Sequence, residues 1–292
     1  MQKAKSQLGS RLRARRKAAG LTGTELGLLL GISQATVSKL ETGQTRRLDE
    51  DLIRSWAEHT VDATGADLDS LLSLAAEAGG MVDWTTLHTA GWRAHQARYD
   101  ELERTATQIR VFQNAMIPGL LQTARYANCL MREVVGLDAE DADAAVMARV
   151  ARQELLYQPT TNFDVVITEA VLRHRLGGPA VLAEQLRRLA EVADFPTVSL
   201  RIIPTDTDMP SRYGASFDLF EFTGQDTPAT VVVELEASEY REDDPTRVEC
   251  YRRRHRIYRD AALDPGQSRQ LVRQLADDSY AQIFNSTGHP AE

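Results

Sequence analysis

Cysteine is nearly missing from this chain of 292 residues: Cys129 and Cys250 stand far apart, and no CxxC pair occurs. Two such residues build neither a disulfide framework nor a cysteine-based zinc site, and they fit a reducing, cytoplasmic setting. The six histidines (His59, His88, His95, His174, His255, His289) form neither HxH nor HExxH. GxGxxG, Walker-type phosphate loops and GxSxG elbows are absent as well. No apolar run reaches the ~18 residues that a membrane-spanning helix needs. The opening MQKAKSQLGSRLRARRK has no apolar core of a signal peptide. No lysine follows Lys39, which removes the general base that a self-cleaving Ser–Lys domain would use. These absences lead to the expectation of no catalytic residues, no metal, no cofactor and no enzymatic step.

The rest of the composition is ordinary for a soluble protein, 42% hydrophobic and 26% charged, and long enough for two domains. Charge is unevenly spread. Residues 1–47 hold ten Lys and Arg against Glu25 and Glu41, a balance of +8, so a chain of formal charge −8 leaves −16 for the remainder. A basic head on an acidic body is the footprint of a nucleic-acid-binding module joined to a different function.

Within the head, TGTELGLLLGISQATVSKLETG (22–43) reads as two short helices and a tight turn. Thr22 and Glu25 have capping-box spacing. Leu26, Leu29 and Leu30 recur at helical spacing and predict one apolar face. Gly31 suits a left-handed stop, Ile32 a plug in the turn, and Ser33 the next N-cap. Val37 and Leu40 then point inward, leaving Gln34, Ala35, Ser38 and Lys39 outward. Gln can pair bidentately with adenine, Ser with either base type, and Lys with guanine or phosphate. A plain helical hairpin in an ordinary bundle is the competing reading. A first helix over Leu8–Ala19, a fourth over Asp49–His59 and a fifth over Ala66–Ala78 complete the head. Gly79-Gly80 and the loss of periodicity predict a linker at 79–90.

LGSRLRARRKAAGLTGTELGLLLGISQATVSKLETGQ, with AAGLT, LGIS and QxTVSKLExG in order, resembles the Xre/Cro/phage-repressor class of DNA-binding domains. That resemblance implies an all-α, five-helix domain over 1–78 that binds a double-stranded DNA operator, usually as a homodimer. Gln34, Ala35, Ser38 and Lys39 would lie on the recognition helix, with Thr36 and Thr22 near backbone phosphates. Arg11, Arg13, Arg46 and Arg47 are the candidate phosphate contacts of the basic head. Three positions depart from the family pattern: Gly23 where Gln is frequent, Gly27 where Ala is usual, and Arg15 where Leu is frequent. Arg15 either snorkels, pairs with an acid such as Glu41, or faces solvent or phosphate.

Residues 91–285 predict an α+β domain with about four strands, drawn from the five candidate stretches 109–114, 163–168, 198–203, 217–222 and 230–235, surrounded by helices. Residues 138–157 predict one long helix, and 170–176 and 180–192 two more. The loop 205–214, with Asp206, Asp208, Met209, Arg212 and Tyr213, is long enough to be functional or simply a surface loop. The basic run 251–260 either binds phosphate or an acidic partner, or is a solvated helix face paired with Glu249 and Asp260. Residues 286–292 predict a flexible tail.

IRVFQNAMIPGLLQTARYANCL, followed by Arg149, Arg152, Gln153 and Leu156 as RxxRQxxL, is similar to the regulatory domain behind Xre-type heads in actinobacterial WhiJ-like proteins. This resemblance implies an antitoxin-like regulator, with a gene commonly beside one for a small partner protein. The overall expectation is a cytoplasmic DNA-binding transcriptional regulator, a repressor, that binds such a partner through its second domain. A ligand- or peptide-responsive receptor is the alternative.

Overall fold

The computed structural model describes residues 2–45, 50–60, 65–83, 92–209, 213–224, 228–235 and 238–287. They fall into two units, residues 1–89 with 235–242 and residues 90–234 with 243–292.

The first unit packs α1 (Gln2–Ala18), α2 (Gly23–Leu29), α3 (Gln34–Glu41), α4 (Glu50–Glu58) and α5 (Gly65–Gly79). Its core joins Leu8, Leu12, Leu26, Val37, Leu40, Ile53, Trp56 and Leu71. Trp56 donates its indole N–H to the Leu12 carbonyl at 3.3 Å, so even the largest core residue leaves no polar atom unpaired. The turn after α2 depends on Gly31, whose φ of +66° is the left-handed value that a side chain resists. The Ile32 N–H then reaches back to the Gly27 carbonyl at 2.9 Å and closes a Schellman stop. Gly9 permits a different approach: a Cβ there would lie 2.5 Å from the Glu41 carbonyl oxygen, so α1 and α3 touch backbone to backbone. The expected apolar face of α2 needs correction. Leu26 is buried, but Leu29 is 50% exposed and Leu28 79% exposed. A helix of seven residues covers its neighbours with one stripe, and Leu29 is turned off its edge.

The predicted linker at 79–90 contains structure. β1 (Met81–Asp83) pairs antiparallel with β7 (Ser238–Glu242). Residues 235–242 thereby belong with the first unit, and the second is not the continuous 91–285 expected. Three residues give no periodicity to read, and SEYRE is too acidic to look like a strand. Its burial comes from pairing: Glu239 is buried and its carboxylate takes the Arg241 Nε–H at 2.5 Å.

The second unit contains α6 (Trp92–Thr105), β2 (Gln108–Gln113), α7 (Ala124–Cys129), α8 (Ala139–Arg152) and β3 (Asn162–Thr168). α9 (Glu169–Arg173), α10 (Pro179–Val192), β4 (Val198–Ile203), β5 (Phe217–Glu221), β6 (Thr230–Glu234), α11 (Pro245–Ala261) and α12 (Pro265–Thr287) follow. Five strands, one more than the number expected, run in the order β6-β5-β2-β3-β4. β2, β3 and β4 are parallel, with Ile109 beside Phe163 and Phe163 beside Val198. β5 is antiparallel to both β2 and β6. β2, β3 and β4 alternate apolar and polar residues at their starts (Ile109-Arg110-Val111, Phe163-Asp164-Val165, Val198-Ser199-Leu200) and are buried on both faces toward their ends. α11 packs on one face, while α12 packs on α10 and β4. The long helix predicted over 138–157 ends at Arg152 and tightens into a 3-10 turn, Gln153–Tyr157. The helix predicted over 170–176 stops at Arg173. Residues 286 and 287 continue α12, and the remainder of the predicted tail lies outside the described residues.

Candidate nucleic-acid interface and the polar clusters

Both short helices of the head are capped by their own sequence. The Thr22 hydroxyl accepts the Glu25 N–H at 3.2 Å, and the Glu25 carboxylate accepts the Thr22 N–H at 2.7 Å. Hydrogen bonds from the Thr22 backbone and side chain hold the Glu25 carboxyl below the usual carboxylate range. At α3 the Ser33 hydroxyl accepts the Thr36 N–H at 3.1 Å and meets the Thr36 hydroxyl at 2.9 Å. Thr22 and Thr36 are therefore engaged in caps. Val37 and Leu40 are buried, while Gln34, Ala35, Ser38 and Lys39 are exposed. One surface of α3 thus presents an amide, a hydroxyl and an ammonium together, the donor and acceptor set that reads base edges in a major groove. Gly23 lies next to Gln34: a Cβ there would stand 3.5 Å from the Gln34 Cγ, an ordinary contact.

The arginines of α1 are not gathered into one patch. Arg11 donates to the Ser70 hydroxyl at 2.8 Å and lies 4.0 Å from Asp67, toward α5. Arg13 lies 3.9 Å from Glu41, beside α3. Two positions apart on a helix, they leave from opposite sides. Arg15 pairs with Asp67, and Glu41 is taken by Arg16, with N–O distances of 2.5 and 2.9 Å. Of the readings open for Arg15, pairing with an acid is the one found, with Asp67 in the place of Glu41. That bidentate bond to Glu41 raises the Arg16 pKa above its ordinary value. Arg46 and Arg47 lie outside the described residues.

In the second unit the PGLLQT and RxxRQ residues meet each other. Gln122, 1% exposed, donates to the Ile117 carbonyl at 2.7 Å and accepts from Arg149 at 2.5 Å. Gln153 donates to the Gln122 carbonyl at 2.6 Å. Gln185 on α10 closes the arrangement, accepting the Thr123 N–H at 2.7 Å and donating to the Leu121 carbonyl at 2.8 Å. Beside them Glu103 and Arg152, both buried, stand 3.3 Å apart. Burial pushes the Glu103 carboxyl from 4.5 up to about 7, against the pull of Arg152 and Arg149. Burial and the neighbouring Arg152 push Arg149 down to about 10. The segment is a scaffold joint, and Glu103 and Gln185, its partners at distant positions, carry no local sequence signal.

The basic run on α11 is mostly matched. Arg252 bonds Glu221 at 2.6 Å and Glu249 at 3.3 Å, Arg256 bonds Glu249 at 3.3 Å, and Arg259 lies 3.9 Å from Asp164. His255 is buried against Asp164, where burial lowers its pKa. The loop after β4 is tied at both ends: Thr205 donates its N–H to Glu169 at 3.0 Å, and Gly214 donates to the Tyr258 hydroxyl at 2.8 Å. Asp206 and Asp208 are exposed, and Arg212 lies outside the described residues. Among the described residues no helix is long and apolar enough to cross a membrane.

Residues 7–71 match the family described as helix-turn-helix domain, which marks the chain as a DNA-binding regulator. Residues 96–274 match the family described as domain of unknown function (DUF5753). No curated protein and no solved structure matches the chain.

Proposed function

Since the chain belongs to the DUF5753 family, with a helix-turn-helix domain ahead of that region, we propose that it is a sequence-specific transcriptional repressor controlled through a partner protein. The observation that carries the DNA half is the face of α3: Gln34, Ala35, Ser38 and Lys39 open to solvent over buried Val37 and Leu40. Gln34 reads adenine, and Ser38 and Lys39 read neighbouring bases or phosphate. Arg13, beside α3, together with Arg46 and Arg47 supplies phosphate contacts, whereas Arg11 leaves α1 toward Ser70 and Asp67. Two heads in a homodimer read half-sites about 34 Å apart. The acidic second region acts in antitoxin-like fashion, binding a small protein encoded beside its gene, and performs no catalytic step. A receptor for small ligands has less support. Among the described residues, a cavity between α9, α10 and α12 measures about 100 Å³, below the ~300 Å³ typical of ligand sites.

Sequencing DNA recovered with the protein from its host gives the operator. A gel-shift titration on single-base operator variants then tests the face: Gln34→Ala loses about 2 kcal/mol of binding and relaxes preference at one base pair. Unchanged affinity and unchanged base preference defeat the assignment. Calorimetry with the co-encoded small protein, with and without operator, tests control, because linkage requires equal factors in both directions.

A further inference from the structure

α8 turns one side to a small cluster of its own, where Ala142, Ala145 and Val146 pack on Ala127, Met131 and Leu137. The other side is uncovered. Met147 is 74% exposed and Val150 42%, and Ala148 and Ala151 are exposed beside them. Positions 147, 150 and 151 share a helix face with 140, 143 and 154. Those three are Glu140, Asp143 and Glu154, all exposed, with Asp141 exposed nearby. Asp143 accepts one bond from the Asn128 amide at 3.1 Å and keeps its charge on the surface. No exposed residue from Asp138 to Glu154 is Lys or Arg; Arg149 is half-buried on Gln122, and Arg152 is buried. The face is an apolar centre with an acidic rim.

A second copy is a poor fit. Twofold packing of α8 on itself sets Glu140 and Asp143 of one copy against the acids of the other, and like charges at a close interface cost several kcal/mol. The complementary surface is an apolar stripe bordered by cations. We propose that this face of α8 docks a basic amphipathic helix of a partner protein, with Met147 and Val150 covered by its apolar stripe and Glu140, Asp143 and Glu154 facing its Lys or Arg side chains. The inference rests on the partner-protein reading above and adds the surface and the partner's chemistry.

Full-length protein is titrated by calorimetry with a synthetic amphipathic helix of about 20 residues, carrying a Leu stripe flanked by Lys, and with the same peptide carrying Glu for Lys. The Lys peptide binds and the Glu peptide does not. The double variant M147Q/V150Q keeps the charge and weakens binding at least ~10-fold, as loss of central anchors does. The variant E140Q/D143N reduces the salt dependence of binding. Equal binding of the two peptides, or full affinity in M147Q/V150Q, overturns the proposal. So does a dimer that M147Q/V150Q converts to monomer, since the occupant is then a second copy. The co-encoded protein separates the two readings. If it binds wild type and M147Q/V150Q alike, partner control stands and this face is wrong. If it fails to bind wild type while the Lys peptide binds as described, the face stands and that partner is wrong.

Discussion

The two units place their polar chemistry on opposite sides of their surfaces. In the helical head the hydrophobic core is aliphatic around Trp56, and its ion pairs, Arg16 on Glu41 and Arg15 on Asp67, lie outside that core with both arginines and Glu41 largely covered; buried carboxylates occur in this unit in the added strand, at Glu239 and Glu242. The residues with recognition chemistry stay outside, on α3. In the second unit the polar residues go inward: Gln122, Gln185, Glu103, Arg152, Glu169 and His255 are all buried. The lesson is about what a motif means. QATVSKLE is distinctive because of what it offers a ligand, whereas PGLLQT with RxxRQ is distinctive because Gln122 must be met by Arg149 and Gln153 for the fold to close. On the proposal above, partner binding falls to exposed positions such as Met147, Val150 and Glu154, and not to the motif's buried Gln122 and Arg152.

The sharpest way to break this contrast is at Gln122. Gln122→Leu strands the Arg149 guanidinium and the Ile117 carbonyl, and broken buried networks containing a charge cost about 3–5 kcal/mol. Chemical unfolding of the full chain should show that loss in the second unit, with operator affinity per folded head unchanged. Loss of DNA binding with an intact second unit would reverse the assignment of roles.

Glu103 gives the next largest effect. Folded, it holds its proton until about pH 7; unfolded, it releases it near 4.5. Between those values the folded state binds the extra proton, so stability falls as pH rises and the loss is complete above pH 7. Linkage puts it at about 3 kcal/mol. E103Q removes this component, so its melting temperature should change less than wild type between pH 5 and 8. Parallel pH profiles in the two proteins would assign the slope to other groups.

Gly9→Ala should destabilise the head by about 2 kcal/mol, because the new Cβ forces α1 away from the Glu41 carbonyl. Hydrogen exchange by residue locates the effect: α1 and α3 lose protection, the central strands do not. Smallest is Thr22→Ala, which removes half the capping box and costs about 1 kcal/mol. Near-zero cost, measured by thermal unfolding, would mean that packing alone holds α2 in place.

How much was legible follows from the range of the interactions. The helix–turn–helix is written locally: Thr22 caps three residues ahead, Gly31 sets its own φ, and Val37 and Leu40 lie one turn apart. Strands 109–112, 163–167 and 198–203 are legible from apolar and β-branched residues recurring between single polar ones, Arg110, Asp164, Ser199 and Arg201. Beyond a few positions the signal weakened. That Arg16 and not Arg15 takes Glu41 depends on the angle at which α1 crosses α3. Met81–Asp83 and Ser238–Glu242 become strands only because they find each other across most of the chain. Arg11 and Arg13, both candidate phosphate contacts from the sequence, leave α1 on opposite sides.

By itself, then, the sequence determined what short-range physics can specify: helix starts and stops, the outward chemistry of α3, the buried strands, and the basic-to-acidic division of charge. Only the tertiary structure decided the strand order β6-β5-β2-β3-β4, the attachment of 235–242 to the first unit, and the inward use of Gln122, Gln185 and Glu103. The reason is that a buried polar group is defined by the partner that satisfies it. Those partners lie dozens of residues away, where spacing along the chain carries no information about distance in space.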